Sequence, residues 1–104
     1  VRLGNALGLV LRVRGDLEGS RAQLEEALAV ATRGIGREHP GVASTLDNLG
    51  ATLGLQGDLE EARARHREAL AIRERTLGPA HPDTLASRQQ VAALERALEA
   101  RRDG

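Results

Sequence analysis

The three histidines are the residues of this chain best suited to acid–base or metal chemistry. His39 and His81 each precede a proline, and they stand 42 residues apart. Packed helices lie about 8–10 Å apart, so two loops separated by two helices should lie about 15–20 Å apart, too far to share a metal ion. Both are therefore interpreted as residues that shape the loops before Pro40 and Pro82. His66 falls within a helical pattern and is interpreted as a partly buried core residue.

No other residues in the sequence indicate a catalytic centre. The chain has no cysteine, which excludes thiol nucleophiles, thiolate metal sites and disulfides. The sequence places no base beside Ser20, Ser44 or Ser87. The Gly-Ile-Gly run at 34–36 lacks both the following Lys-Ser/Thr and the preceding strand of a phosphate-binding loop. We therefore expect a protein that is not an enzyme and that needs no cofactor and no metal.

Composition disfavours nucleic acid and membranes as partners. The 15 basic residues are all arginine and are balanced by 15 acidic residues, so no net field steers the chain to a polyanion. Aromatic side chains, which would stack on bases, are absent. No signal peptide and no apolar run of about 20 residues is visible. We expect a cytoplasmic protein, and the arginine-rich, lysine-free composition is typical of a GC-rich bacterial coding sequence.

The elements that position these residues follow a 42-residue repeat. Comparison of residues 15–50 with 57–92 gives 14 identities in 36 positions without a gap. The matching segments are Gly15–Glu18 with Gly57–Glu60, Glu26–Ala29 with Glu68–Ala71, and His39–Pro40 with His81–Pro82. A fixed period of this length predicts an array in which each unit buries its apolar face against its neighbour. Such arrays present extended binding surfaces.

Apolar spacing and helix-stop signals predict five helices, of which the first occupies residues 1–14. The second follows the N-cap Asp16 and ends at the glycines of 34–36. The third starts after His39, because proline disfavours helix in the preceding residue. The fourth follows Asp58, in a D-x-x-E capping box, and ends at Gly78–Pro79.

The fifth helix is predicted to start at Pro82 with Asp83 as its cap. Glu99 stands where the repeat predicts a glycine, so this helix should continue to about Arg102. Its charged end fits two interpretations. The helix is either a solvating cap on the array or one half of a hairpin whose partner helix lies beyond the sequence. The absence of a methionine at Val1 suggests a fragment or a processed chain.

The residues at each helix pair resemble the tetratricopeptide repeat. Leu7–Gly8 and Leu49–Gly50 occupy its Leu-Gly position, Gly15 and Gly57 its inter-helix turn, and Ala27 and Ala69 its packing alanine. The 42-residue period resembles the kinesin light chain type, which also occurs in bacterial signalling NTPases. Residues 69–85 carry that type's phrase, Ala-Leu-x-Ile-x-Glu-x-x-Leu-Gly-Pro-x-His-Pro-Asp-Thr-Leu.

The resemblance implies an all-α, right-handed α-solenoid of antiparallel helix hairpins with about five helices. One repeat array would span 1–104, with a truncated first repeat at 1–36, a second at 37–78, and a final or capping helix at 79–104. The sequence departs from the family at the positions that usually hold aromatics. These positions carry Leu11, Leu24, Leu53 and His66.

In this family, peptides lie along the concave surface lined by the first helix of each repeat. The implied peptide-binding positions are Asn5, Leu9, Arg12, Asp47, Asn48, Ala51, Gln89, Gln90 and Arg96. Amides suit the task because each offers a donor and an acceptor. The same residues are equally consistent with a merely solvated face. We expect a noncatalytic scaffold for a protein or peptide, forming a module of a larger bacterial protein. The alternative is a structural module that self-associates through exposed solenoid ends or packs on a neighbouring domain.

Overall fold

Four helices form the part of the chain that the structure, a computed structural model, describes: Arg12 and residues 14–34, 36 and 38–103. They are α1 (Leu17–Gly34), α2 (Pro40–Leu55), α3 (Leu59–Thr76) and α4 (Pro82–Asp103). Over those residues there is no strand. The four helices agree with the second to fifth of the predicted set. The predicted first helix lies almost entirely outside the described residues.

Two aspartates and two histidines cap the helices. Asp16 accepts a hydrogen bond from the Gly19 N–H at 2.9 Å and Asp58 from the Glu61 N–H at 3.3 Å, which confirms both predicted aspartate caps. At the other two helix starts the acceptor is a histidine Nδ1. His39 accepts from Gly41 at 2.9 Å.

The predicted Asp83 cap is wrong. The α4 helix already begins at Pro82, whose fixed dihedral suits the first helical position. The N–H of Asp83 donates to His81 Nδ1 at 3.1 Å, so Asp83 lies inside the first turn and is capped there rather than capping it. The two histidines of the His-Pro pairs therefore shape their loops by accepting a hydrogen bond from a free N–H of the helix that follows.

Short connections fold successive helices back on each other. Three residues, 56–58, join α2 to α3, and Gly57 there has a φ of +87°, in the left-handed region that glycine tolerates. The Gly57 and Asp58 N–H groups donate to the carbonyls of Gly54 and Leu53 at 3.0 and 2.9 Å, which closes the end of α2. Among the described residues, each helix makes its extensive contacts with its neighbours along the chain.

Helix α2 lies at the centre of the core and contributes to two apolar clusters. The first cluster consists of Ala31, Val42, Ala43, Leu46, Ala69 and Ile72. The second consists of Leu24, Leu49, Leu53 and Ala62. Both clusters join α1, α2 and α3, and both are built from aliphatic side chains, as the aromatic-free composition requires. A buried hydrogen bond between the Ser20 and Thr52 hydroxyls, at 2.9 Å, adds a polar link between α1 and α2.

A close contact between helices pairs Gly50 of α2 with His66 of α3. A Cβ built on Gly50 would lie 2.7 Å from the His66 ring, closer than real atoms approach. His66 is 5% exposed, which confirms that it is a core residue at the position where the family usually has an aromatic. The glycine therefore leaves the space that the imidazole fills.

Two glycines of the same helix should respond oppositely to substitution. We expect Gly50→Ala to lower the free energy of unfolding by about 2 kcal/mol, because the added methyl group overpacks the contact with His66. Gly54→Ala is the matched control, since a Cβ there meets nothing within 4 Å. It should stabilise the chain by about 0.5 kcal/mol through helix propensity. Urea denaturation followed by circular dichroism measures both, and a stabilising Gly50→Ala would contradict the assigned contact.

Candidate functional site

One face of α2 is left incompletely covered by the neighbouring helices. Gly41, Ser44, Asn48 and Ala51 are half-buried and recur at helical spacing, while most of the positions between them are buried. The row ends at Leu55, which is 63% exposed and is the most exposed large apolar residue described. We call this row, with its equivalents in α4, the open face.

The equivalent row on α4 lies 42 residues further along the sequence. Ala86, Gln90, Ala93 and Ala97 correspond there to Ser44, Asn48, Ala51 and Leu55. Gln89, Gln90 and Arg96 are all exposed. Five of the positions implied by the family resemblance therefore carry accessible side chains: Asn48, Ala51, Gln89, Gln90 and Arg96. Among the described residues the Asn48 side-chain amide makes no hydrogen bond.

The other four implied positions differ from these five. Asp47 is tied into contacts within the chain, as described next. Arg12 is half-buried, and one of its terminal nitrogens is buried without a hydrogen-bond partner in the part of the chain that the structure describes. Asn5 and Leu9 lie outside the described residues.

Asp47 lies at the centre of a polar network behind the open face. Its Oδ1 accepts from His66 Nδ1 at 2.9 Å, and its Oδ2 accepts from the guanidinium of Arg73. The same Arg73 nitrogen donates to Ser87 Oγ at 2.7 Å. In addition, Thr84 Oγ1 donates to the Arg73 carbonyl at 3.3 Å. Arg73 of α3 therefore connects α2 to α4, and we call these residues the Arg73 network.

The network is largely shielded from water, so salt screens its charges less than those of an exposed pair. The side chains of Asp47 and Arg73 are each 13% exposed, and that of His66 is 6% exposed. The sequence predicts His66 as a core residue but does not give its partner. It places Arg73 among the arginines of a solvated, mixed-sign face of α3, which is wrong, because the Arg73 side chain is only 13% exposed. A signal was present in the repeat, because His66 and Arg73 stand where the preceding repeat has Leu24 and Ala31. Two polar residues at core positions seven residues apart indicate a shared buried partner.

Other charges lie on exposed surfaces in pairs of mixed sign. Arg65 contacts Glu61 at 2.7 Å and also Glu68 at 2.8 Å. Arg75 donates to both carboxylate oxygens of Glu38, at 2.9 and 2.7 Å, and this hydrogen bonding raises the pKa of the guanidinium above its ordinary value. The arginines in these pairs therefore form no continuous basic surface among the described residues.

The three serine hydroxyls have partners within the fold. Ser87 accepts from Arg73, Ser20 pairs with Thr52, and Ser44 Oγ donates to the Pro40 carbonyl at 3.4 Å. Over the described residues, no cluster of His, Asp and Glu is arranged to hold a metal ion. None of the described helices is long and apolar enough to cross a membrane.

Helix hairpins that follow a 42-residue period and pack in a row define an α-solenoid, the architecture of repeat scaffolds. A family model described as "Tetratricopeptide repeat" matches residues 3–75 and 48–103. The chain belongs to the tetratricopeptide repeat family. Its repeats make it a protein–protein interaction module. Repeats of this family are noncatalytic scaffolds.

The fold is also that of a solved bacterial structure. BtubC (BKLC) from P. vanneervenii superposes with a TM-score of 0.87 at 27% sequence identity, over 94% of this chain and 39% of that chain. The chain thus spans about two-fifths of the length of that protein. Together with the family match, this likeness supports a repeat of the kinesin light chain type, as the 42-residue period predicts. A search of curated proteins finds no match.

Removing the carboxylate of the Arg73 network should strongly destabilise the fold. We expect Asp47→Ala to cost about 3 kcal/mol of unfolding free energy, because it leaves a buried guanidinium without its counter-ion. Asp47→Ala/Arg73→Met should recover part of that loss, since it removes both charges. The control is Glu25→Gln in the exposed pair with Arg21, where we expect a change below about 0.5 kcal/mol. Urea denaturation measures all three, and a double variant less stable than Asp47→Ala would contradict the assignment.

Proposed function

We propose that the chain binds an extended segment of a partner protein along the open face of α2 and α4. The observation that carries the proposal is the pair of amides Asn48 and Gln90, which stand at the same repeat position on the two helices. Asn48 makes no hydrogen bond among the described residues, and Gln90 is exposed. An amide offers both a donor and an acceptor, which is what the backbone of an extended peptide requires.

Small side chains beside these amides support the same proposal. Ser44 and Ala51 flank Asn48 on α2, and Ala86 and Ala93 flank Gln90 on α4. Such residues leave room for a peptide backbone to approach within hydrogen-bonding distance of the amides. Leu55 lies at the end of the α2 row and adds one exposed apolar group. Arg96 is next to Ala97 of the α4 row and adds one positive charge.

Asn48→Ala should weaken binding without weakening the fold. The probe is a peptide selected from a displayed library on the immobilised chain, with its affinity measured by isothermal titration calorimetry. We expect the Kd to rise about fivefold to tenfold, which corresponds to one hydrogen bond of about 1–1.5 kcal/mol. The melting temperature should stay unchanged, because the Asn48 amide has no partner within the described part of the chain.

The matched control is Gln23→Ala, which removes a half-buried amide from α1, outside the open face. Its Kd should equal that of the wild type. Two results would contradict binding at this face. One is a selection that enriches no peptide, and the other is a selected peptide that binds Asn48→Ala and Gln90→Ala with the same Kd as the wild type.

We also propose that α4 is a capping helix of the array. On α2 the residues that meet α3 are Ala43, Leu46, Gly50 and Leu53. Their equivalents on α4 are Leu85, Arg88, Ala92 and Glu95. Leu85 is 44% exposed, while Arg88 pairs with Glu74 at 3.1 Å and Glu95 pairs with Arg67. A further helix packed on α4 as α3 packs on α2 would bury both charges, which is costly.

Leucine at positions 88 and 95 should create an exposed apolar surface on α4. We expect Arg88→Leu/Glu95→Leu to self-associate, because the two substitutions reproduce the Leu46 and Leu53 pattern next to exposed Leu85. Arg88→Gln/Glu95→Gln is the control, since it removes the charges without adding apolar surface. Light scattering over a concentration series measures the mass. A leucine variant that stays as monomeric as the glutamine variant would contradict the proposal that these two charges prevent a further helix from packing on α4. A wild-type chain that already associates would favour the alternative that the array self-associates.

A further inference from the structure

The two seams between successive repeats differ in chemistry at equivalent positions. In the seam between α1 and α2, Ala31 and Val42 are buried in one apolar cluster. Their equivalents between α3 and α4 are Arg73 and Thr84. These are also buried or nearly so, but they belong to the Arg73 network. The second seam has therefore exchanged apolar packing for charge and hydrogen bonds.

This exchange is confined to the first half of α4, which we define as Pro82–Gln90. There, α4 contacts the rest of the protein through Thr84, Ser87 and Arg88, each of which bonds to a residue of α3. The second half carries the buried apolar residues Val91 and Leu98. Leu94 packs there against the second apolar cluster.

At one pair of positions the first seam is polar and the second is apolar. The hydrogen-bonded pair Ser20 and Thr52 of the first seam corresponds to Ala62 and Leu94 in the second. This strengthens the contrast within α4, because its second half docks through apolar contacts and its first half through polar ones. Helix segments with few buried apolar contacts open locally at lower free energy than the core does.

We propose that Pro82–Gln90 is an electrostatic latch that opens while the second half of α4 stays docked. Arg88 and Glu74 are 47% and 43% exposed, so salt screens their attraction. The bond from Arg73 to Ser87 is lost at little cost when water replaces the hydroxyl, because the guanidinium keeps Asp47 as its counter-ion. The latch carries Gln90 of the open face and its exposed neighbour Gln89, so its opening would displace both amides. The proposal does not depend on what that face binds.

Hydrogen exchange of the full 104-residue chain tests the latch. The informative amides are 86–90, since the first N–H groups of a helix lack intrahelical partners. We expect them to exchange at least about tenfold faster than the amides of 45–53 in α2. Raising the salt from about 0.05 to 1 M should increase the ratio of the two rates about twofold to fivefold, as screening of an exposed pair allows.

Two matched variants separate the latch from ordinary fraying of a terminal helix. Arg88→Gln should speed exchange of 86–90 about twofold to fivefold, whereas Arg67→Gln should not, because it breaks the Glu95 pair in the second half. The second test introduces the chemistry of the first seam by Arg73→Ala and Thr84→Val, with Asp47→Asn to remove the charge. This variant should slow exchange of 86–90 at least about fivefold relative to wild type.

Several outcomes would overturn the latch. Amides 86–90 that exchange together with 45–53 at both salt concentrations would mean that α4 opens as part of one cooperative unit. Equal effects of Arg88→Gln and Arg67→Gln would assign the motion to the whole helix. If the apolar seam failed to fold, the salt series and the two single variants would still decide between these results.

Discussion

The guanidinium of Arg73 links three helices, since it lies on α3 and bonds to both α2 and α4. It bonds to Asp47 on α2 and to Ser87 on α4, and its own backbone carbonyl accepts from Thr84. A buried ion pair is weak evidence for stability, because desolvation offsets much of the attraction. It does impose geometry, since a buried charge must meet its partner in one arrangement. The open face spans α2 and α4, whose relative position this contact helps to set.

The remaining core achieves close packing without aromatic residues, which requires small residues at the helix crossings. Ala43, Ala62 and Ala69 are fully buried, and Gly50 leaves space for the ring of His66. That histidine both fills the space at Gly50 and donates to Asp47. Packing and hydrogen bonding are therefore coupled at one side chain. Glycine at position 50 leaves room for the imidazole where the family usually places an aromatic, and aspartate at position 47 accepts its hydrogen bond.

The sequence predicts much of this architecture, because most of its signals are local. Asp16 and Asp58 act on N–H groups three residues away, and the turn glycines end their own helices, so spacing alone locates them. The Asp83 cap fails because His81, a less usual capping residue, supplies the acceptor. The Arg73 network was missed for a different reason. Its bonds join residues that are 14 and 26 positions apart on three helices, and only the helix register brings them together. Comparison of Arg73 with Ala31 could have flagged the site but would not have identified its partners.

The network also limits how far a family position can be transferred from one repeat to the next. Asp47 and Gln89 occupy the same repeat position, yet both Asp47 oxygens are bonded within the chain while Gln89 is exposed. The difference follows from the neighbours. Arg73 and His66 stand beside Asp47, whereas no described helix covers the face of α4 on which their equivalents would lie. One position is therefore structural in one copy and accessible in the other. Equivalent positions of the array therefore differ in chemistry from one repeat to the next. A segment bound along the array would meet different side chains at its two ends, which would favour one direction of binding.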